Sequence, residues 1–231
     1  MIMNYRLSKC CSVLLCLLFF FSHSVKAQNA LETTRLALMA DGKVKEFSLN
    51  SGLQTISSIS FNESAALPAS EAKQLIQQYF NLDIPGEEIR LQTSSVLKSG
   101  IEIQRYKLFF NGIPVVHSSY NVMTRNSKIV AVNAESYLLS TDFSVTPSLS
   151  ADDARLKALD FVSAKTYAWQ ALEQDKVKAA GNTALVQKLD RLIEEHYPGG
   201  ELVIAKNKYG DGQARLAWKF DVYAVEPLGR W

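Results

Sequence analysis

Ile101-Glu102-Ile103-Gln104-Arg105-Tyr106-Lys107-Leu108-Phe109-Phe110-Asn111-Gly112-Ile113-Pro114-Val115-Val116 is the stretch on which the fold turns. Its first residues alternate apolar and polar, the period of a strand with one buried face. Asn-Gly then accepts the two positive φ angles of a type I′ turn, whose twist matches that of paired strands, so the segment predicts a β-hairpin. Pro114 has no N–H to give to a ladder, which places the returning strand at a sheet edge or turns that position outward. Two further runs, Ser119 to Thr124 and Ile129 to Asn133, flank the polar Arg125-Asn126-Ser127-Lys128 and extend the hairpin into an antiparallel meander.

Upstream, residues 28–66 are polar and rich in Ser, Asn and Thr, with β signals at Val44 to Phe47 and Thr55 to Phe61 that predict one or two edge strands. Ser70 is placed to cap a helix reaching about Phe80, with Ala72, Leu75, Ile76 and Tyr79 on one face; Asn81 and Pro85-Gly86 end it. Downstream of the linker-like Ser144 to Ser148, Ser150 caps a second helix, with Asp153 three residues on and apolar spacing that continues past Trp169 and Leu172 to Gly181-Asn182. Another amphipathic series, Leu185, Leu189, Leu192 and Ile193, ends at Tyr197-Pro198-Gly199-Gly200. The chain closes with Glu201 to Lys206, a Gly210-Asp211-Gly212 turn, and alternating Ala214, Leu216, Trp218, Phe220, Val222 and Ala224, read as one long strand with a buried face. The fold class is therefore α+β, with two small units of antiparallel sheet and packed helices joined near Pro147.

Arg6 and Lys9 followed by an apolar run from Cys10 to Phe21 make a leader too short to span a bilayer comfortably. Val25-Lys26-Ala27 supplies small residues for signal peptidase, which predicts cleavage between Ala27 and Gln28 and a secreted product with no stable membrane span. All three cysteines, Cys10, Cys11 and Cys16, leave with that leader, so the exported chain has no thiol and no disulfide. Three basic residues leave too; 22 basic then face 23 acidic residues, for a net charge of about −1. No basic stripe remains for nucleic acid, and a protein partner is the natural expectation.

Catalytic constellations are missing. Cysteine chemistry is excluded, no Gly-x-Ser-x-Gly elbow is present, and no pair of His stands four apart with Glu beside the first, the spacing that aims two imidazoles at one zinc. Glu194-Glu195-His196 reads as a solvated helix end, His117 as a strand residue near a turn, and Asp152 and Asp153 as helix-start carboxylates. Trp218, Phe220, Tyr106 and Phe110 read as core. No metal or cofactor is expected in this chain.

Arg105-Tyr106, then Asn111-Gly112-Ile113-Pro114-Val115, then Ile129-Val130-Ala131-Val132-Asn133 resemble the propeptide motif of fungalysin- and thermolysin-type zinc metalloproteases. Pro147-Ser148-Leu149-Ser150-Ala151-Asp152-Asp153-Ala154, Glu201 to Ile204 and Ala214 to Lys219 resemble the PepSY-type, cystatin-like unit that follows it in such precursors. Val116-His117 departs from the pattern, where relatives carry an aromatic or acidic residue followed by Gly.

With the leader at 1–27 and a leading segment at 28–66, the resemblance implies a propeptide-like domain at 67–143 and a PepSY-like domain at 148–231. It further implies an N-terminal propeptide that inhibits a zinc metalloendopeptidase and assists its folding. Zinc and calcium would belong to the protease domain, which is absent from this sequence. The cognate catalytic domain is the implied partner, with Arg105, Tyr106, Asn111, Gly112, Ile113, Pro114, Val115 and His117 as candidate contacts. A free-standing secreted inhibitor or binding module built on the same unit is the alternative. Because the family pattern continues beyond a strand like the last one here, the second domain is expected to be truncated at Trp231.

Overall fold

The computed structural model describes residues 35–50, 55–135, 137, 139, 142–206 and 213–231. The leader, its cleavage point and the Gly210-Asp211-Gly212 turn lie outside these residues. The fold is α+β with antiparallel sheets, and it divides into two compact units that interleave along the sequence. One comprises residues up to Leu82, Leu91–Tyr106 and Ser119–Leu138; the other comprises Asp83–Arg90, Lys107–Ser118 and Leu139–Trp231.

In the first unit β1 (Val44–Asn50), β2 (Thr55–Phe61), β7 (Lys128–Glu135) and β6 (Ser119–Arg125) pair in that order. Outside β6 come the portions of β4 (Ile101–Phe110) and then β3 (Glu87–Val96) that belong to this unit. β4 lies antiparallel to β6 with Tyr106 opposite Tyr120. Asn126 and Ser127 both take positive φ and close the β6–β7 hairpin, as the polar run between the two strand signals predicts. Helix α1 (Ala72–Tyr79) buries Ala72, Leu75, Ile76 and Tyr79, the face that the spacing defines. Phe80 meets Tyr120 edge-on at 5.3 Å, and Phe61 meets Tyr79 at 5.4 Å.

Two expectations about this unit are corrected. Ser70 is not a helix cap: it lies in a one-turn 3-10 helix, Ala69–Glu71, and Glu71 occupies the cap position of α1 with no capping side chain. That turn is held instead from outside, because Ala69 N donates to Ser127 O and Ile129 N to Leu67 O. Nor is β2 an edge strand, since β1 and β7 flank it on either side. Its Ser-rich composition hid a period of burial carried by Ile56, Ile59 and Phe61.

In the second unit α2 (Ala151–Val162) starts at Ser150, whose Oγ accepts from Asp153 N at 3.1 Å and donates to the Asp153 carboxylate at 2.7 Å. The helix does not continue to Gly181. Ser163 turns left-handed (φ 52°), β8 (Thr166–Tyr167) follows, and new helices α3 (Ala168–Lys178) and α4 (Thr183–His196) begin. Tyr167 explains the break: its hydroxyl donates to Leu159 O at 2.5 Å, and its ring joins Val222 and Ala224 in a cluster with Leu159, Val162 and Trp169.

β9 (Glu201–Lys206) and β10 (Ala214–Lys219) pair antiparallel from Glu201–Lys219 to Lys206–Ala214. The single long strand expected from Ala214 to Ala224 is two. After Lys219 the chain leaves the ladder and resumes as β11 (Tyr223–Glu226), held between β8 and β12 (Gly229–Arg230). Alternation persists across the gap because Val222 still points inward, its N–H and C=O exchanging hydrogen bonds with Trp231 at 3.0 Å. Trp218 and Phe220 are half-buried rather than core, and Trp218 Nε1 donates to Leu149 O.

A charged hydrogen bond pins α1 to the loop before β1. Tyr79 Oη donates to Asp41 at 2.6 Å, which holds the Asp41 carboxyl below the ordinary carboxylate range, while burial raises the phenol. A depressed carboxyl contributes stability that is complete above its unfolded value and is lost as pH falls through its folded one. Tyr79→Phe is therefore expected to cost about 1 kcal/mol at neutral pH. The difference from the parent should shrink below about pH 4 in urea melts taken across pH.

Candidate functional site

The central hairpin forms as its residues dictate. Asn111 (φ 48°) and Gly112 (φ 81°) supply the paired positive angles of the turn, Phe110 faces Ile113 and Phe109 faces Pro114 in β5 (Ile113–Pro114). Pro114 turns its missing donor away from β4, one of the two placements expected, and beyond it the segment gains a second neighbour. Val115 N donates back to Leu108 O at 2.9 Å, while Val116 N donates the other way, to Ile204 O of β9, at 2.8 Å. A parallel bridge between Val115 and Ile204 completes the junction. Consecutive amides pointing to opposite neighbours place Val115 and Val116 between Leu108 of β4 and Ile204 of β9 in the second unit. The missing N–H of Pro114 falls on the β9 side, where Val116 makes the hydrogen bond instead.

The turn is also seated from below. Asn111 N donates to Gly86 O at 2.8 Å, and a Cβ on Gly86, itself at φ +96°, would lie 2.3 Å from Asn111 Oδ1. Glu87 steadies that approach: its carboxylate accepts from Ile84 N at 3.1 Å, and burial pushes its pKa up. Arg90 stacks over the Phe109 ring at 4.2 Å. Gly86 was legible only as a helix stop, and its role beneath the hairpin turn has no local sequence signal.

Within the second unit, then, Val115 is 2% exposed and part of the core, Ile113 and Pro114 are half-buried, and Asn111, Gly112 and His117 are exposed. His117 is not a strand residue but occupies a turn at φ 58°, where a side chain is uncommon and Gly is at ease. The resemblance had marked this position as one where relatives carry Gly, and the backbone keeps the conformation a Gly would favour.

In the first unit Arg105 is exposed and Nε donates to Asn121 Oδ1 across the strand pair at 3.0 Å. Tyr106 points inward, and its hydroxyl donates to Gln104 Oε1 at 2.9 Å. Glu102 accepts from Ser94 Oγ at 2.7 Å and from Gln104 Nε2 at 3.1 Å; these donors hold its carboxyl below the usual range. Burial, and then the Glu102 charge, push the Tyr106 phenol up.

Elsewhere the polar candidates serve the fold. Asp152 pairs with Arg155 at 2.9 Å, and His196 ends α4 with Nδ1–H donating to Leu192 O and its ring edge-on to Tyr223. Among the described residues no group of three or more His, Cys, Asp or Glu is placed to hold a metal ion, and no helix is long and apolar enough to cross a membrane.

Residues 87–136, running from the start of β3 to just past β7, match the Fungalysin/Thermolysin Propeptide Motif. The match covers less than a quarter of the chain and contains all eight candidate contact residues. No curated protein matches the sequence.

The seating of the turn gives a double test. Gly86→Ala is expected to destabilise the chain by about 1–2 kcal/mol, through the strained φ and the approach to Asn111. Asn111→Gly keeps the positive φ and removes the obstructing side chain, so in the double variant part of that cost should return. Denaturant melts of the four proteins read the coupling.

Proposed function

We propose that this chain is the N-terminal propeptide of a secreted zinc metalloendopeptidase of thermolysin or fungalysin type, exported by the leader at 1–27. It binds the catalytic domain, restrains its activity and helps it fold. The observation that carries the reading is the motif match over 87–136, together with the formation within it of the Arg105-Tyr106 strand, the Asn-Gly hairpin and the β6–β7 meander. The chain itself is not the catalyst; zinc and calcium belong to the partner.

Exposure divides the candidate contacts. Arg105, Asn111, Gly112 and His117 present side chains or backbone to solvent and are the groups a protease surface would meet. Tyr106, Ile113, Pro114 and Val115 hold those groups in place by packing, with Pro114 and Gly112 fixing the backbone. With an exported net charge near zero, recognition depends on shape and hydrogen bonding more than on long-range attraction. The remaining domains, including a PepSY-like 148–231, complete the pro-region in this reading.

Residues 28–231 added in excess to a refolding thermolysin-type catalytic domain are expected to raise the yield of active enzyme and to slow peptide hydrolysis by the native enzyme. His117→Gly and Arg105→Ala should weaken inhibition without lowering the melting temperature of the chain. Neither inhibition nor a refolding gain, with several enzymes of both types, would remove the proposal.

A further inference from the structure

In the second unit β9 and β10 turn Leu202, Leu216 and Trp218 to one face, and Phe220 follows at the same period. All four are only half-buried, although α2 runs beside this face. The reason lies in α2, which meets them with Ala154 and Ala158, one turn apart and too short to reach between the larger side chains. A cavity of about 280 Å³ is left. The linker walls it on another side, where Leu149 O accepts from Trp218 Nε1 at 3.0 Å. Apolar residues make up the lining with two exceptions, Ser148 and Lys157. Lys157 is exposed and makes no ion pair among the described residues, although Asp153 and Asp160 stand about one turn from it along α2.

We propose that this groove binds the C-terminal residue of a peptide, with an apolar side chain between α2 and the sheet and the carboxylate on Lys157. Sites for small ligands combine apolar walls with a few polar groups that fix orientation. Here the one charged group is a cation, so the ligand carries an anion next to its apolar body. Size limits that body. At the ~30 Å³ that one water molecule occupies, the cavity holds about nine non-hydrogen atoms. That is the size of one leucine or phenylalanine side chain with its α-carboxylate, and too little for a long acyl chain. An internal Asp or Glu beside an apolar residue carries its carboxylate on a separate side chain, whereas a chain end carries both groups on one Cα. The groove shares no residue with the motif at 87–136, so its occupancy is independent of the inhibitory role.

Three probes test this: N-acetyl-leucine, which mimics a chain end, its uncharged amide, and decanoate as a free acyl carboxylate. Each is titrated into residues 28–231 while the Trp218 indole N–H and the backbone amides of α2 are followed by NMR. N-acetyl-leucine should shift both, and the amide should bind about tenfold more weakly, for the loss of one charge-assisted hydrogen bond. Lys157→Gln should bring the acid down to the level of the amide and leave the amide where it was. Because Lys157 is exposed, that variant should keep the melting temperature of the parent. Ala158→Leu, which occupies the cavity, should abolish binding of both. No shift at the Trp218 indole, acid and amide binding alike, or a Lys157→Gln chain that still separates them would overturn the proposal. Decanoate binding more tightly than N-acetyl-leucine would do so as well, in favour of a lipid ligand.

Discussion

One hydrogen bond, from Val116 N to Ile204 O, turns a local hairpin into the framework of the second unit. A type I′ turn fixes only the two strands it joins. Here the returning arm is two residues long, and the chain then bonds alternately to Leu108 on one side and β9 on the other. β9, with Val203 and Ile204 buried, in turn carries β10. Gly86 admits the turn above it by lacking a Cβ, which would lie 2.3 Å from Asn111 Oδ1.

Local chemistry explains what the sequence makes visible. The Asn-Gly turn, the β6–β7 hairpin, the buried face of α1 and the Ser150 cap each depend on residues within a few positions of one another, and each forms as read. Where the outcome depends on a distant residue, sequence reasoning stops. The break after α2 is made by Tyr167 reaching back to Leu159 O and by packing against Val222 and Ala224, about sixty residues on. β3 has too polar a sequence to announce itself, because it lies at an edge with little to bury. The alternation from Leu216 to Val222 reads as one strand, since burial repeats at the right period even where the ladder stops.

The candidate contacts show the same division. A motif quoted as a block, Asn111 to Val115, suggests a single surface, but the backbone assigns its members different work. Val115 is core, Pro114 and Ile113 are half-buried against their neighbours, and only the turn and His117 face outward. Arg105 and Tyr106, adjacent in sequence, point to opposite faces of β4, as strand geometry requires. Most of this motif builds the scaffold, and the groups it leaves exposed are few.

The most direct measurement of this account is amide hydrogen exchange at Val116, read residue by residue by NMR on residues 28–231. If Val115 and Val116 are held between β4 and β9, the Val116 amide is protected to the same degree as that of Val115, and both open together with the amides of β9 as denaturant is added. A Val116 amide that exchanges as fast as an exposed loop while Val115 stays protected would mean that the arm ends at an open edge. The hairpin would then be an isolated ornament on the unit and not its framework.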